Sequence, residues 1–140
     1  MKAIHNTDIG LLILRIVVGL VFIVHGYGKV TGIDQTIGFF GMLGFPAVLA
    51  YVVAYVELLG GISLVIGYGS KISSALLAFT MLVAIIKVHG PKGFNNSEFV
   101  LTLMAANLAI FFAGSGKYAL GAKCGCPVKE GTCVVENPKA

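Results

Sequence analysis

The sequence has no tryptophan, only three cysteines and few charged residues. Charged side chains make up 11% of its 140 residues, whereas 57% of the residues are hydrophobic and the mean hydropathy is +0.94. A soluble domain of this size has too little interior to bury so many apolar side chains. The scarcity of charge therefore argues against a soluble protein and predicts an integral membrane protein.

Several cofactor and nucleic-acid motifs are missing as well. The chain contains no C-x-x-C-H sequence, no P-loop and no G-x-G-x-x-G after a strand. Its net charge of +4 does not come from a basic patch with interleaved aromatic residues, so nucleic acid is not an expected partner. The expected partner is the lipid bilayer.

Four apolar runs approach the roughly 20 residues that a helix needs to cross a bilayer, at 9–30, 46–68, 71–88 and 98–113. They predict an all-α fold, a transmembrane four-helix bundle over residues 1–116. Thr7 or Asp8 is the expected N-cap of the first helix. The segment "TGIDQTIGFFGMLGFP" is too polar and too broken by glycine to span. Residues 117–140 form a short polar tail that contains all three cysteines.

An even number of spans places both termini on one side of the membrane. Six cations lie with the termini and the second loop: Lys2, Lys71, Lys117, Lys123, Lys129 and Lys139. Only three lie in the other loops: Lys29, Lys87 and Lys92. The positive-inside rule therefore predicts a multi-pass protein of the cell membrane with cytoplasmic N- and C-termini.

The first apolar run carries an unusual polar stripe. Arg15, Phe22 and Lys29 recur at intervals of seven and share one helix face, with His25 one turn before Lys29. The opposite side of the helix is apolar: Ile13, Val17, Leu20 and Val24. We expect the polar stripe to face protein, because a charge that faces lipid is costly.

The second helix offers a partner for the stripe. Glu57 lies near the middle of this helix, and Gly60 and Gly61 follow it, where they would let another helix approach closely. We expect Arg15 and Glu57 to point into the bundle and to meet directly or through a water molecule. Such a pair could equally be a structural tie.

Further ionisable residues collect towards the outer end of the predicted bundle. We interpret Glu57 and His25 as candidate catalytic residues, and a second set as candidate ligand-binding residues: Arg15, Lys29, Lys87 and His89. So many potential cations around one carboxylate exceed what packing requires. The alternative is that the lysines are interfacial residues that extend to water.

These residues also carry a family resemblance. "LLILRIVVGLVFIVHGYGKV" resembles the opening of the DoxX family, and "VAYVELLGGISLVIG" is similar to its second helix. "AIIKVHGPKGF" and "EFVLTLMAANLAIFFAGSGKYAL" resemble its third-helix end and its closing segment, so that the resemblance covers residues 9–120. Ala119 and Gly121 depart from it, since they stand where Ser and Asp are usual. The resemblance implies a four-helix membrane protein linked to sulfur or thiol redox chemistry and to quinones.

The tail sequence "KCGCPVKEGTC" places Cys124, Cys126 and Cys133 within ten residues. Three thiolates could bind zinc or copper(I). They could also form one disulfide and leave one thiol for exchange with a partner. An unstructured tail with unused cysteines is the remaining alternative.

Two classes of function follow. In the first, the chain is a redox-linked subunit that couples oxidation of a thiol or sulfur compound to a membrane quinone, with a redox partner subunit or a second copy of the chain as partners. In the second, it is a non-catalytic scaffold, assembly factor or small-solute carrier. A quinone site needs an apolar slot, hydrogen-bond donors and a proton source, which His25, Lys29, Lys87 and Glu57 could supply.

Overall fold

The computed structural model describes residues 3–89 and 97–120 of the chain. Within that part, five α-helices follow one another: α1 (Ala3–Thr31), α2 (Ile33–Met42), α3 (Ala47–Ile66), α4 (Ser70–Ala84) and α5 (Glu98–Ala113). The last turn of α4 widens into a π-helical turn over Ile85–His89. The described residues contain no strand, and the predicted all-α fold is confirmed.

The four longer helices form an antiparallel bundle. Helix α1 packs along α3, α3 along α4, and α4 along α5, which also contacts α1. Three segments are long and apolar enough to cross a membrane: Thr7–Thr31, Ala47–Ile66 and Ser70–Val88. Helix α5 is apolar but has only 16 residues, about 24 Å at 1.5 Å per residue, which is shorter than a typical hydrocarbon core.

The two ends of the bundle differ. At one end α1 finishes, α2 packs against α3, and α3 and α5 begin; we call this the α2 end. At the opposite end α3 finishes at Gly67, which has a φ of +81° and caps the helix in the left-handed conformation that glycine favours. We call this the Gly67 end. Residues 114–120, which follow α5, also lie here, where Ala119 is packed against Gly67.

Glycines set the close contact between α1 and α3. A Cβ on Gly26 would lie 2.5 Å from the backbone nitrogen of Leu58, and one on Gly61 would lie 2.7 Å from the carbonyl oxygen of Gly19. Only glycine permits the two backbones to approach this closely. The contacts also fix the antiparallel register, in which residues after Gly26 face residues before Leu58.

The predicted stripe of α1 faces the interior of the bundle. Arg15 and Phe22 are each 1% exposed, whereas Val17 on the other side is 55% exposed. Phe22 packs into an apolar core that α3, α4 and α5 complete, with Leu64, Leu77 and Leu103 among its members. The outward apolar side of α1 is therefore free to face lipid.

Two local expectations differ from the structure. Helix α1 begins at Ala3, so Thr7 and Asp8 lie inside the helix and neither is its N-cap. The glycine-rich segment after α1 does not span, but ten of its residues form α2, in which no residue is buried. Helix α2 packs mainly on α3 and so closes the bundle from one side.

Candidate functional site

A cavity of about 940 Å³ occupies the α2 end of the bundle. Helices α1, α3 and α4 and the first turns of α5 surround it, and α2 forms a further wall. Its volume falls within the range of roughly 300–1,000 Å³ that small-molecule sites usually have. Most of the lining is apolar, and its polar members are His25, Lys29, Gln35, Thr36, Glu57, Thr80 and Lys87.

The structure brings four of the candidate residues to this one cavity: His25, Lys29, Glu57 and Lys87. Residues from three different helices meet here because the antiparallel packing places the end of α1, the first half of α3 and the end of α4 together. Their roles in catalysis or binding remain predictions from the sequence.

An ion pair joins α1 to α3 at the wall of the cavity. The register set by Gly26 and Leu58 places Lys29 beside Glu57, and Lys29 Nζ donates to Glu57 Oε1. The Glu57 side chain is 2% exposed and that of Lys29 is 32% exposed. The second carboxylate oxygen, Glu57 Oε2, is buried and has no hydrogen-bond partner among the described residues. A buried acceptor of this kind is costly unless something donates to it.

Lys87 approaches the cavity from the π-helical turn that ends α4. Seven residues earlier, Thr80 also lines the cavity. Lys87 Nζ lies 5.9 Å from the ring centroid of Phe45, in the connection between α2 and α3. Within the described part of the chain, Lys87 makes no salt bridge.

His25 lines the cavity from α1 but keeps an exposed side chain. Its ring lies beside Phe99 of α5, with centroids 5.9 Å apart and planes inclined by 39°. This ring contact orients the imidazole and leaves both of its nitrogens without a hydrogen bond from the described residues. Either nitrogen therefore remains suited to interact with a ligand.

The predicted contact between Arg15 and Glu57 is wrong. Both side chains are buried, but Arg15 Nε donates to the carbonyl oxygen of Leu64 at 3.1 Å, and Nη1 donates to that of Ser115. Leu64 lies seven residues beyond Glu57 on α3, which corresponds to about 10.5 Å along the helix axis. Arg15 therefore belongs to the Gly67 end and does not line the cavity.

Four candidate residues cannot be placed. The side chain of His89, at the end of the π-helical turn, lies outside the described part, and so do Cys124, Cys126 and Cys133. The described residues contain no group of three or more His, Cys, Asp or Glu side chains that could hold a metal ion. The predicted zinc or copper site in the tail thus stays a prediction.

Sequence reasoning missed the aromatic wall that α2 and its flanks contribute. Phe39, Phe40 and Phe45 line the cavity, and Phe40 packs against both other rings. A helical signal was present, because Ile33, Ile37 and Phe40 recur at intervals of three and four residues. The four glycines between 32 and 44 obscured it.

The apolar helices and their packing define a multi-pass membrane protein with an internal cavity. A family model described as DoxX matches residues 10–90. The chain belongs to the DoxX family.

Curated relatives are similar over most of their length. The chain is 40% identical to "Putative oxidoreductase CatD" of Bacillus subtilis (strain 168) over 114 residues, which cover 81% of this chain and 85% of that protein. It is 29% identical to "Inner membrane protein YqjF" of Escherichia coli (strain K12) over 117 residues, which cover 81% and 90% of the two chains. No solved structure matches the chain significantly.

Proposed function

We propose that this DoxX-family membrane protein binds a quinone in the cavity and acts as a redox-linked subunit that couples oxidation of a thiol or sulfur compound to that quinone. The observation that carries the proposal is the cavity itself, which combines an aromatic wall with the Lys29–Glu57 pair and Lys87. Similarity to a bacterial protein whose name describes an oxidoreductase supports it.

The lining residues fit a quinone. Its flat ring and apolar chain suit the rings of Phe39, Phe40 and Phe45, which can stack or meet it edge-on. Its two carbonyl oxygens accept hydrogen bonds, and Lys87 and His25 carry donors that line the same space. The unpartnered Glu57 Oε2 adds a buried acceptor for the hydroxyl group of a reduced ring.

When bound, a quinone supplies the acceptor for two electrons and two protons. The chain's own residues would hold the ring, exclude water and supply protons. Glu57 can exchange a proton with the ligand at the otherwise unpartnered Oε2, while Lys29 donates to Oε1. Lys87 would favour negative charge on a nearby carbonyl oxygen.

The electrons would come from outside the described residues, which contain no cysteine. The donor is thus the thiol or sulfur compound itself, a thiol in the tail or a group on a partner subunit. In the last case the chain would be one subunit of an oxidoreductase.

The proposal is tested by ligand binding to the purified protein in detergent. We expect a soluble short-chain quinone to raise the melting temperature, since a ligand at about 100 times its Kd stabilises a protein by about 2.7 kcal/mol. Val53 lines the cavity, so the variant Val53→Phe should narrow it and reduce the shift in melting temperature. Val52→Phe, on the exposed neighbouring position, is the matched control. If no quinone shifts the wild-type protein, the scaffold interpretation takes its place.

A further inference from the structure

The two lysines of the cavity are in different electrostatic situations. Lys29 is paired with Glu57, so its charge is compensated within the protein. Lys87 has no carboxylate partner among the described residues, and its ammonium group lies over the ring of Phe45. Among the described residues that line the cavity, Glu57 is the only acidic one. The described lining therefore carries two ammonium groups and one carboxylate, an excess of one positive charge.

The contact of Lys87 with Phe45 is one that a ligand can replace. A cation–π contact made by an exposed lysine is weak. A charge-assisted hydrogen bond to an anionic oxygen is stronger, because both partners are ionised and the distance is shorter. Moving from the ring to such an oxygen would also give Lys87, whose side chain is exposed, an anionic partner in the cavity.

We propose that the cavity selects the anionic form of an acidic, ring-hydroxylated quinone over a neutral quinone of the same size, and that Lys87 is the residue that determines this specificity. The inference rests on the proposed function and deepens it, because it names the class of quinone. Lys87 acts on the ligand charge, whereas the apolar lining holds the ring.

The rest of the lining argues against a small inorganic anion as the preferred ligand. Apart from the polar members already named, the cavity is bounded by aromatic and aliphatic side chains, such as Phe40, Leu49 and Val53. A bare sulfur oxyanion would meet Lys87 but leave this surface without a partner. An anionic ring satisfies both parts of the cavity at once.

The test compares lawsone, a hydroxynaphthoquinone that is an anion at neutral pH, with its methyl ether, which is neutral and nearly the same shape. Binding to the purified protein is measured by calorimetry. We expect lawsone to bind wild type at least about tenfold more tightly than the ether, which corresponds to about 1.4 kcal/mol. Lys87→Gln should abolish the preference, whereas Lys87→Arg should keep it.

Lys71→Gln is the matched control, because it removes the same charge from an exposed position at the other end of α4. It should leave both affinities unchanged. Equal affinities of wild type for the two quinones, or a preference that survives in Lys87→Gln, would overturn the inference while leaving the proposed quinone site intact. Binding of thiosulfate with greater affinity than lawsone would also overturn it. If neither quinone binds wild type, the proposed function fails and this inference fails with it.

Discussion

Gly26 of α1 lies so close to Leu58 of α3 that a Cβ there would be 2.5 Å from the Leu58 backbone nitrogen. Lys29 lies three residues after Gly26 on α1, and Glu57 lies one residue before Leu58 on α3. The backbone contact therefore brings Lys29 and Glu57 together. A backbone contact between two apolar stretches thus positions the only ion pair of the described residues. The register of the helices, rather than the reach of the side chains, decides which charges meet.

Gly26→Ala should destabilise the bundle, because the added methyl group overlaps backbone that cannot move without separating α1 from α3. Overpacking of this kind typically costs about 1–3 kcal/mol. Thermal unfolding in detergent should show a lower melting temperature. Gly10→Ala is the control in the same helix, since a Cβ there meets nothing within 4 Å. Alanine favours a helix over glycine, so that this variant should be neutral or slightly more stable. Equal effects of the two variants would contradict the close contact.

Lys29→Met should be more harmful than Glu57→Gln. Removing the lysine leaves a buried carboxylate uncompensated, and breaking a buried pair in this way typically costs about 3–5 kcal/mol. Removing the carboxylate leaves a lysine whose side chain is 32% exposed and can still reach water.

The double variant Lys29→Met/Glu57→Gln should recover part of the loss, as measured by a double-mutant cycle on unfolding. Additive effects of the two substitutions would show that the pair does not interact.

Arg15→Met should loosen the chain after α5. The variant leaves the carbonyl oxygens of Leu64 and Ser115 without their donor, and each buried unsatisfied group typically costs about 1–3 kcal/mol. Hydrogen exchange should rise in residues 115–120, and the melting temperature should fall. Quinone binding should be unchanged, because Arg15 does not line the cavity. Unaltered exchange in that segment would refute the proposed anchoring role of Arg15.

The orientation in the membrane can be tested with reporter fusions. We expect a fusion after residue 140 to report the cytoplasm and a fusion within the 90–96 segment to report the opposite side. The reasons are the antiparallel order of the long helices and the excess of lysine near the termini. Matching orientations of the two fusions would exclude the four-span topology.

The tail cysteines should bind a soft metal or exchange disulfides. Elemental analysis of protein from reducing cells should find zinc or copper near one equivalent per chain or per dimer. Substitution of Cys124, Cys126 and Cys133 by serine should remove the metal, because hydroxyl groups are poor ligands for zinc and copper(I). The prediction would be wrong if the three thiols are labelled equally with and without metal and no mixed disulfide can be trapped.

The sequence predicts which residues face inwards better than it predicts which residues meet. The seven-residue spacing of Arg15, Phe22 and Lys29 was sufficient to identify the interior side of α1, because burial follows helical periodicity. The spacing of residues did not predict that Lys29, rather than Arg15, pairs with Glu57. Depth along each helix is calculated from residue counts, but the register between helices depends on contacts such as that of Gly26 with Leu58.

The aromatic wall shows a second limit of the sequence. Helix α2 has ten residues, two glycines and no buried side chain, so that it depends on packing against α3. An isolated helix of this length is marginal in water. Its role in enclosing the cavity with Phe39 and Phe40 follows from tertiary contacts that periodicity does not reveal.

The two hydrogen bonds that hold the chain after α5 have a consequence for the membrane sidedness of the proposed function. Arg15 donates to the carbonyl oxygen of Ser115, and the backbone nitrogen of Lys117 donates to Asp8 Oδ1 at 3.2 Å. The tail therefore leaves the bundle at the Gly67 end. From Asp8 to Lys29, α1 rises about 31 Å, close to the thickness of a hydrocarbon core. The described chain thus ends at the Gly67 end, about one hydrocarbon thickness from the α2 end where the cavity lies. In the proposed function, an electron donor that enters at the α2 end and the first residues of the tail would lie at opposite faces of the membrane.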